Sequence, residues 1–172
     1  MTTFELFALR LTHVLGGIFW VGSALFTSFF LVPALATSGV NAGEVMTALR
    51  RRHLMTFLPL VALLTIGSGV RLIWIASAGS VSTYVASPQG RAFALAGAAA
   101  IIAFLVSLTV ARPAATRAAV LGRALGSAPE VERARLAREL DVLRRRNAGA
   151  STMVVTLLLL GSAGMAVAKY LR

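Results

Sequence analysis

Leu11–Leu35 reads "LTHVLGGIFWVGSALFTSFFLVPAL" and carries no charged side chain. It forms most of an apolar run from about Leu6 to Leu35. About 20 helical residues suffice to cross the roughly 30 Å of hydrocarbon in a bilayer. The run exceeds that length, so a strong tilt or a protruding end is expected. The preceding "MTTFE" (Met1–Glu5) is acidic rather than basic, and the run is too long for a secretory h-region. A membrane span is therefore expected here, not a cleaved leader.

Three further runs reach spanning length, from about Leu54 to Ala78, Arg91 to Ala111 and Gly149 to Leu171. The whole composition agrees with lipid as the solvent. Of 172 residues, 58% are hydrophobic and 13% charged, and the mean hydropathy is +0.82. A water-soluble domain of this size could not hide so much apolar surface. Cysteine is absent, which removes disulfides, thiolate metal sites and thiol redox chemistry. The expected fold is an all-α integral membrane four-helix bundle of one domain, residues 1–172. No internal repeat and no separate soluble domain is evident.

The formal net charge is +11, yet nucleic acid is not the expected partner. Basic residues collect at the ends of apolar runs, where they meet anionic lipid and set orientation. Arg50, Arg51 and Arg52 join runs one and two. Arg112, Arg117, Arg123, Arg133, Arg135, Arg138, Arg144, Arg145 and Arg146 join runs three and four. Twelve of the seventeen basic residues thus share one side, which the positive-inside rule makes cytoplasmic. Both termini and the loop "SAGSVSTYVASPQG" (Ser77–Gly90) would face the periplasm across a bacterial-type inner membrane.

The connection Arg112–Asn147 has helical patterning of its own. Ser127 and Glu130 have capping-box spacing with Pro129 between them, so a helix start is expected there. Leu136, Leu140 and Leu143 then recur at helical spacing, and before them Val120, Leu121 and Leu125 can form a shorter helix that prolongs the third run beyond Pro113. These features predict a cytoplasmic amphipathic hairpin over about 113–146, turning at "GSAP". It would serve as a docking surface for a partner, or pack on itself or lie on anionic lipid.

Unusual residues gather at one depth. His13, one of two histidines, lies about 10 Å along the axis from the outer end of the first run. Arg71 and Met165 lie at similar depth on the second and fourth runs, and Arg10 and Lys169 sit slightly nearer the surface. His53, with Met55 and Met153, belongs to the cytoplasmic edge. About 37 Å of helix separates His53 from the outer end of its span, so the two histidines are not expected to share a ligand. His13, Gly17, Trp20, Ala24 and Thr27 follow i, i+4, i+7 spacing on one face. An imidazole beside glycine, with an aromatic a turn away and cations nearby, suits haem b: His13 on the iron, Gly17 and Trp20 as its wall, Arg71 and Arg10 on the propionates, Met165 as a candidate sixth ligand. Small residues are equally the ordinary means by which membrane helices approach, and histidine can hydrogen-bond a neighbouring helix. Arg71, in "GSGVRLIWIA" (Gly67–Ala76), is costly inside hydrocarbon and calls for a counter-charge. That could be an anionic group of a ligand, or the side chain could snorkel outward.

The His-x6-Trp-x-Gly pattern of His13, Trp20 and Gly22 resembles the opening helix of several small membrane families. Among them are the copper-resistance D proteins and the HemJ-type protoporphyrinogen oxidases. "ALRRRHLMTFLPLVALLTIGSGVRL" (Ala48–Leu72) and "ARPAATRAAVLGRAL" (Ala111–Leu125) are similar to later parts of the copper-resistance D group. The resemblance implies a four-helix membrane bundle with His13 as haem b ligand. The chain departs from the HemJ-type pattern, lacking a basic residue between Phe93 and Ala111 and the motif that follows the tryptophan. The expectation is therefore a haem b protein that transfers electrons near the outer face, with a quinone, respiratory-complex subunits or a second copy as partner. Copper handling and a cofactor-free structural subunit are the alternatives. No nucleophile–base pair, carboxylate dyad or phosphate-binding glycine loop is present, so hydrolytic and phosphoryl-transfer chemistry are not expected.

Overall fold

The computed structural model describes residues 2–38 and 42–171. Those residues form helices and connecting turns, with no strand among them. Thr2 starts the first helix by accepting a hydrogen bond from the Glu5 amide at 3.2 Å, and Glu5 itself lies in the first turn, where the helix dipole favours negative charge. This helix, α1, runs Thr3–Thr37. A short amphipathic helix, α2 (Ala42–Arg51), leads to α3 (Leu54–Ala76). One turn of helix, α4 (Val81–Ala86), precedes α5 (Pro88–Ser127), and α6 covers Glu130–Ala168. The start of α5 is capped by Ser87, whose hydroxyl oxygen accepts from the Gly90 amide, with Pro88 in the first turn. Gly90 is needed there, because a Cβ would collide with the Tyr84 carbonyl.

The helices α1, α3, α5 and α6 are each long and apolar enough to cross a membrane. Pairs α1–α3 and α5–α6 pack most extensively, and contacts of α3 with α5 and of α1 with α6 close the ring. Trp20, Ala62, Ala103, Val154 and Leu158 meet at its centre. Trp20 is 7% exposed and lies edge-on to Phe104, with ring centroids 6.3 Å apart. The interior is otherwise built from small residues such as Ala96 and Gly161, while Phe26, Phe30, Leu63, Leu95 and Leu160 point outward. A bundle stable in water would reverse that distribution. Small inside and large apolar outside is how helices approach when lipid covers the outer surface.

Two of these helices contain a widened turn at matching places. A π-helical turn occupies Thr27–Leu31 in α1 and another Ser107–Ala111 in α5. Each is followed two residues on by a proline, Pro33 and Pro113. A proline ring inside a helix meets the carbonyl four residues earlier, Phe29 and Thr109 here. The wider turn moves that carbonyl aside, so neither helix ends. A second correspondence joins α3 to α6. "LRRRH" (Leu49–His53) and "LRRRN" (Leu143–Asn147) precede Gly67-Ser68 and Gly161-Ser162 by the same interval. Chain order and packing pair α1 with α3 and α5 with α6.

Several boundaries differ from those expected. α6 is a single helix, so the segment Glu130–Arg146 and the fourth span are continuous, with no break at Gly149. The third span, by contrast, continues past Pro113 to Ser127 as expected from Val120, Leu121 and Leu125. The capping box does not form. Ser127 ends α5 with its hydroxyl on the Ala124 carbonyl at 3.4 Å, Pro129 holds the N-cap position of α6, and Glu130 pairs with Arg133 at 2.9 Å. Ser127 is needed to finish one helix and so cannot begin the next. Leu136 and Leu140 are buried as their spacing predicts. Arg135 and Arg145 pair with Glu139 and Asp141 one turn away.

Candidate functional site at His13

The α1–α3 interface brings together the polar residues Glu5, His13, Thr65, Ser68 and Arg71. The helices run antiparallel, so residues rising along α1 meet residues falling along α3. Glu5 meets Arg71, His13 meets Thr65, Ser68 and Gly69, Gly16 meets Thr65 and Val61, and Phe19 meets Phe57. The polar residues Thr65 and Ser68 and the small Gly69 stand at i, i+3 and i+4 and so share one face.

His13 is partly buried, and its Nδ1 lies 2.8 Å from the Thr65 carbonyl oxygen. A carbonyl only accepts, so Nδ1 must carry the proton and donate it. With the proton at Nδ1, the lone pair of a neutral ring lies at Nε2 alone. Ser68 Oγ is 3.5 Å from Nδ1 and donates into its own helix, with Leu64 and Thr65 carbonyls at 2.7 and 2.9 Å. Gly69 lies against the imidazole: a Cβ there would be 2.8 Å from Cε1 and 3.1 Å from Nδ1. The imidazole is thus fixed by one hydrogen bond and one absent methyl group.

Gly16 and Gly17 serve the helix pair directly. A Cβ on Gly16 would collide with Thr65 Oγ1, and Gly17 lies within van der Waals reach of the Thr65 methyl group. The space beside these glycines, expected to admit something flat, is filled by Thr65. Trp20 belongs to the central core, where it touches α5 through Phe104. The glycines at Gly67 and Gly97, by contrast, have nothing within 4 Å of a Cβ.

Arg71 has its counter-charge within the chain. Its Nη2 and Nε donate to a single oxygen of Glu5 at 2.7 and 3.2 Å. Both side chains are substantially exposed, 48% and 35%, so the pair sits at the rim of the bundle. Glu5 was the one acid available near that face, and the sequence carried this signal. Met165 follows Gly164 on a segment of α6 positioned by packing of Gly161 and Gly164 against Ala96 of α5. Among the described residues no hydrogen bond, ion pair or ring contact joins Met165 or Arg10 to His13. Arg10 is exposed. His53 is exposed at the other end of α3 and adopts a left-handed backbone, φ 58°, where α2 stops and α3 starts.

The donor set is therefore one oriented imidazole nitrogen. Among the described residues no three His, Cys, Asp or Glu side chains gather as a metal site. An aromatic nitrogen on a fixed ring suits axial ligation of an iron already held by a macrocycle. It does not suit a metal that needs several protein ligands. The residues that orient the ring, Thr65, Ser68 and Gly69, were legible only as a small, weakly polar stretch of the second span. Their role depends on the register of α1 against α3. Compared with protein-family models, curated proteins and solved structures, the chain shows no match to any of them.

Proposed function

We propose that this chain is an integral membrane haem b protein that passes electrons near the outer face of a bacterial inner membrane, with His13 Nε2 as the iron ligand. The observation that carries the reading is the Nδ1–Thr65 carbonyl hydrogen bond. Ligating histidines donate their second ring nitrogen to such an acceptor, which sets the tautomer and raises the basicity of the ligating nitrogen. The haem supplies a one-electron couple; the chain supplies the ligand, an apolar surround and nearby cations. Arg71 offers its remaining guanidinium nitrogen, and Arg10 its whole side chain, to a propionate. Met165 or a group from a partner would be the candidate for a second protein ligand. A quinone or a respiratory subunit is the natural exchange partner, since the site lies among the membrane spans.

The orientation that goes with this reading puts both termini in the periplasm, and puts α2 and the Arg112–Arg146 helical hairpin in the cytoplasm. A cofactor-free structural subunit is the second reading. It is favoured by the way Thr65 fills the space against Gly16, which makes His13 an interhelical fastener. An absorption spectrum of protein purified in mild detergent from haem-replete cells separates the two. A Soret band that sharpens on reduction is expected. A colourless preparation sinks the haem assignment, and metal analysis of the same sample then tests copper.

A further inference from the structure

Thr65 O is asked to accept more than one proton. Within α3 it faces the amide of Gly69, His13 Nδ1 lies 2.8 Å away, and Ser68 Oγ lies 2.9 Å away. Ser68 has a single hydroxyl proton and two carbonyls in range, Leu64 at 2.7 Å and Thr65 at 2.9 Å. When it donates to Thr65 it draws on the same oxygen that holds His13. When it donates to Leu64 it leaves that oxygen to the imidazole. Ser68 is buried, which keeps its hydroxyl among these protein acceptors.

The geometry points to Ser68 and Gly69 as positioning residues of His13: Gly69 fixes the plane of the ring, and the Ser68 hydroxyl moderates the hydrogen bond at Nδ1 and so the donor strength of Nε2. This rests on the haem reading for its electrochemical consequence, though not for its geometry. A weaker Nδ1–H···O bond makes Nε2 a poorer electron donor, which favours the reduced state of a ligated iron. Ser68 therefore holds the potential up. Gly69 acts sterically, because any Cβ there overlaps the imidazole at 2.8 Å and turns the ring away from the Thr65 carbonyl.

Side-chain nitrogen NMR of the full-length protein, prepared without haem, tests the geometry alone. The chain has two histidines, and a His53→Asn sample assigns them. A neutral His13 protonated at Nδ1 is expected, with its signal moved in Ser68→Ala and lost or averaged in Gly69→Ala. A neutral His13 protonated at Nε2, or signals unmoved by both substitutions, overturns the proposal whether or not haem is present. In haem-loaded protein, Ser68→Ala is expected to shift the midpoint potential downward with haem content kept, and Gly69→Ala to reduce haem content several-fold. Gly67→Ala, on the same helix but with nothing near its Cβ, controls for backbone effects and should keep both. Loaded protein whose potential ignores Ser68→Ala, or whose haem survives Gly69→Ala, overturns the positioning roles and leaves the haem assignment standing. If wild type takes up no haem, the haem assignment falls, and the NMR result alone decides the positioning roles.

Discussion

At the scale of single residues, His13 and Gly16 separate chemistry from packing on one turn of α1. His13→Ala is expected to abolish or greatly reduce haem retention, while His53→Ala leaves it nearly intact, because His53 is exposed at the opposite end of α3. Exogenous imidazole added to His13→Gly should restore part of the spectrum. A full, unshifted spectrum in His13→Ala would leave His13 as an interhelical hydrogen-bonding residue only. Gly16→Ala tests packing. The new methyl group meets Thr65 Oγ1, and such overpacking costs about 1–3 kcal/mol. Thr65→Ala in the same chain removes the obstructing oxygen, so the pair should be less destabilising than the sum of the singles. Gly67→Ala faces open space and is expected to be neutral or slightly stabilising, since alanine has the higher helix propensity. Thermal unfolding in detergent would read all four, and strict additivity would contradict the contact.

Among the elements, the break between α2 and α3 depends on one residue. Arg52 still donates to Ala48 and His53 to Arg50, and then His53 turns left-handed at φ 58° so that α3 begins in a new direction. Histidine, asparagine and glycine accept that backbone, whereas a β-branched side chain does not. His53→Gly should therefore unfold at about the wild-type temperature or above it. His53→Val should be less stable by about 1–2 kcal/mol. If the two variants melt alike, the left-handed turn does not govern the junction. Asn147, at the matching place before the fourth span, stays inside one continuous helix. The same short motif thus gives a break in one half of the chain and none in the other. The difference lies in what each segment packs against: α2 touches the end of α5, whereas the Glu130–Arg146 segment lies along it.

For the whole molecule, the proposed orientation rests on charge, and the bundle decides what comes together. A reporter fused after Arg172 is expected to behave as periplasmic, and one inserted near Gly126 as cytoplasmic. The opposite pattern would place His13 near the wrong face. Arg144, Arg145 and Arg146 replaced by Gln should leave a haem spectrum unchanged, while weakening lipid contact or inverting a fraction of molecules. Loss of the Soret band in correctly inserted protein would move the cofactor to the cytoplasmic end.

The sequence by itself determined that the chain is helical, that four segments reach spanning length, and that His13 and Arg71 are the polar residues needing an explanation within them. Those conclusions rest on composition and local periodicity, which are properties of a segment alone. It also carried, unread, Pro33 and Pro113 in the first and third spans and the repeated "LRRR" and "GS" motifs. Only the tertiary structure decided that Thr65, Ser68 and Gly69 hold the imidazole, that Glu5 answers Arg71, and that Gly16 faces a threonine. Each of these depends on the register of α1 against α3. In a helix pair made of small residues, many registers bury similar area, so hydropathy does not select among them. The observed one is selected by side chains that must fit: a glycine where Thr65 projects, a glycine where the imidazole lies, and a carbonyl whose remaining acceptor capacity meets Nδ1.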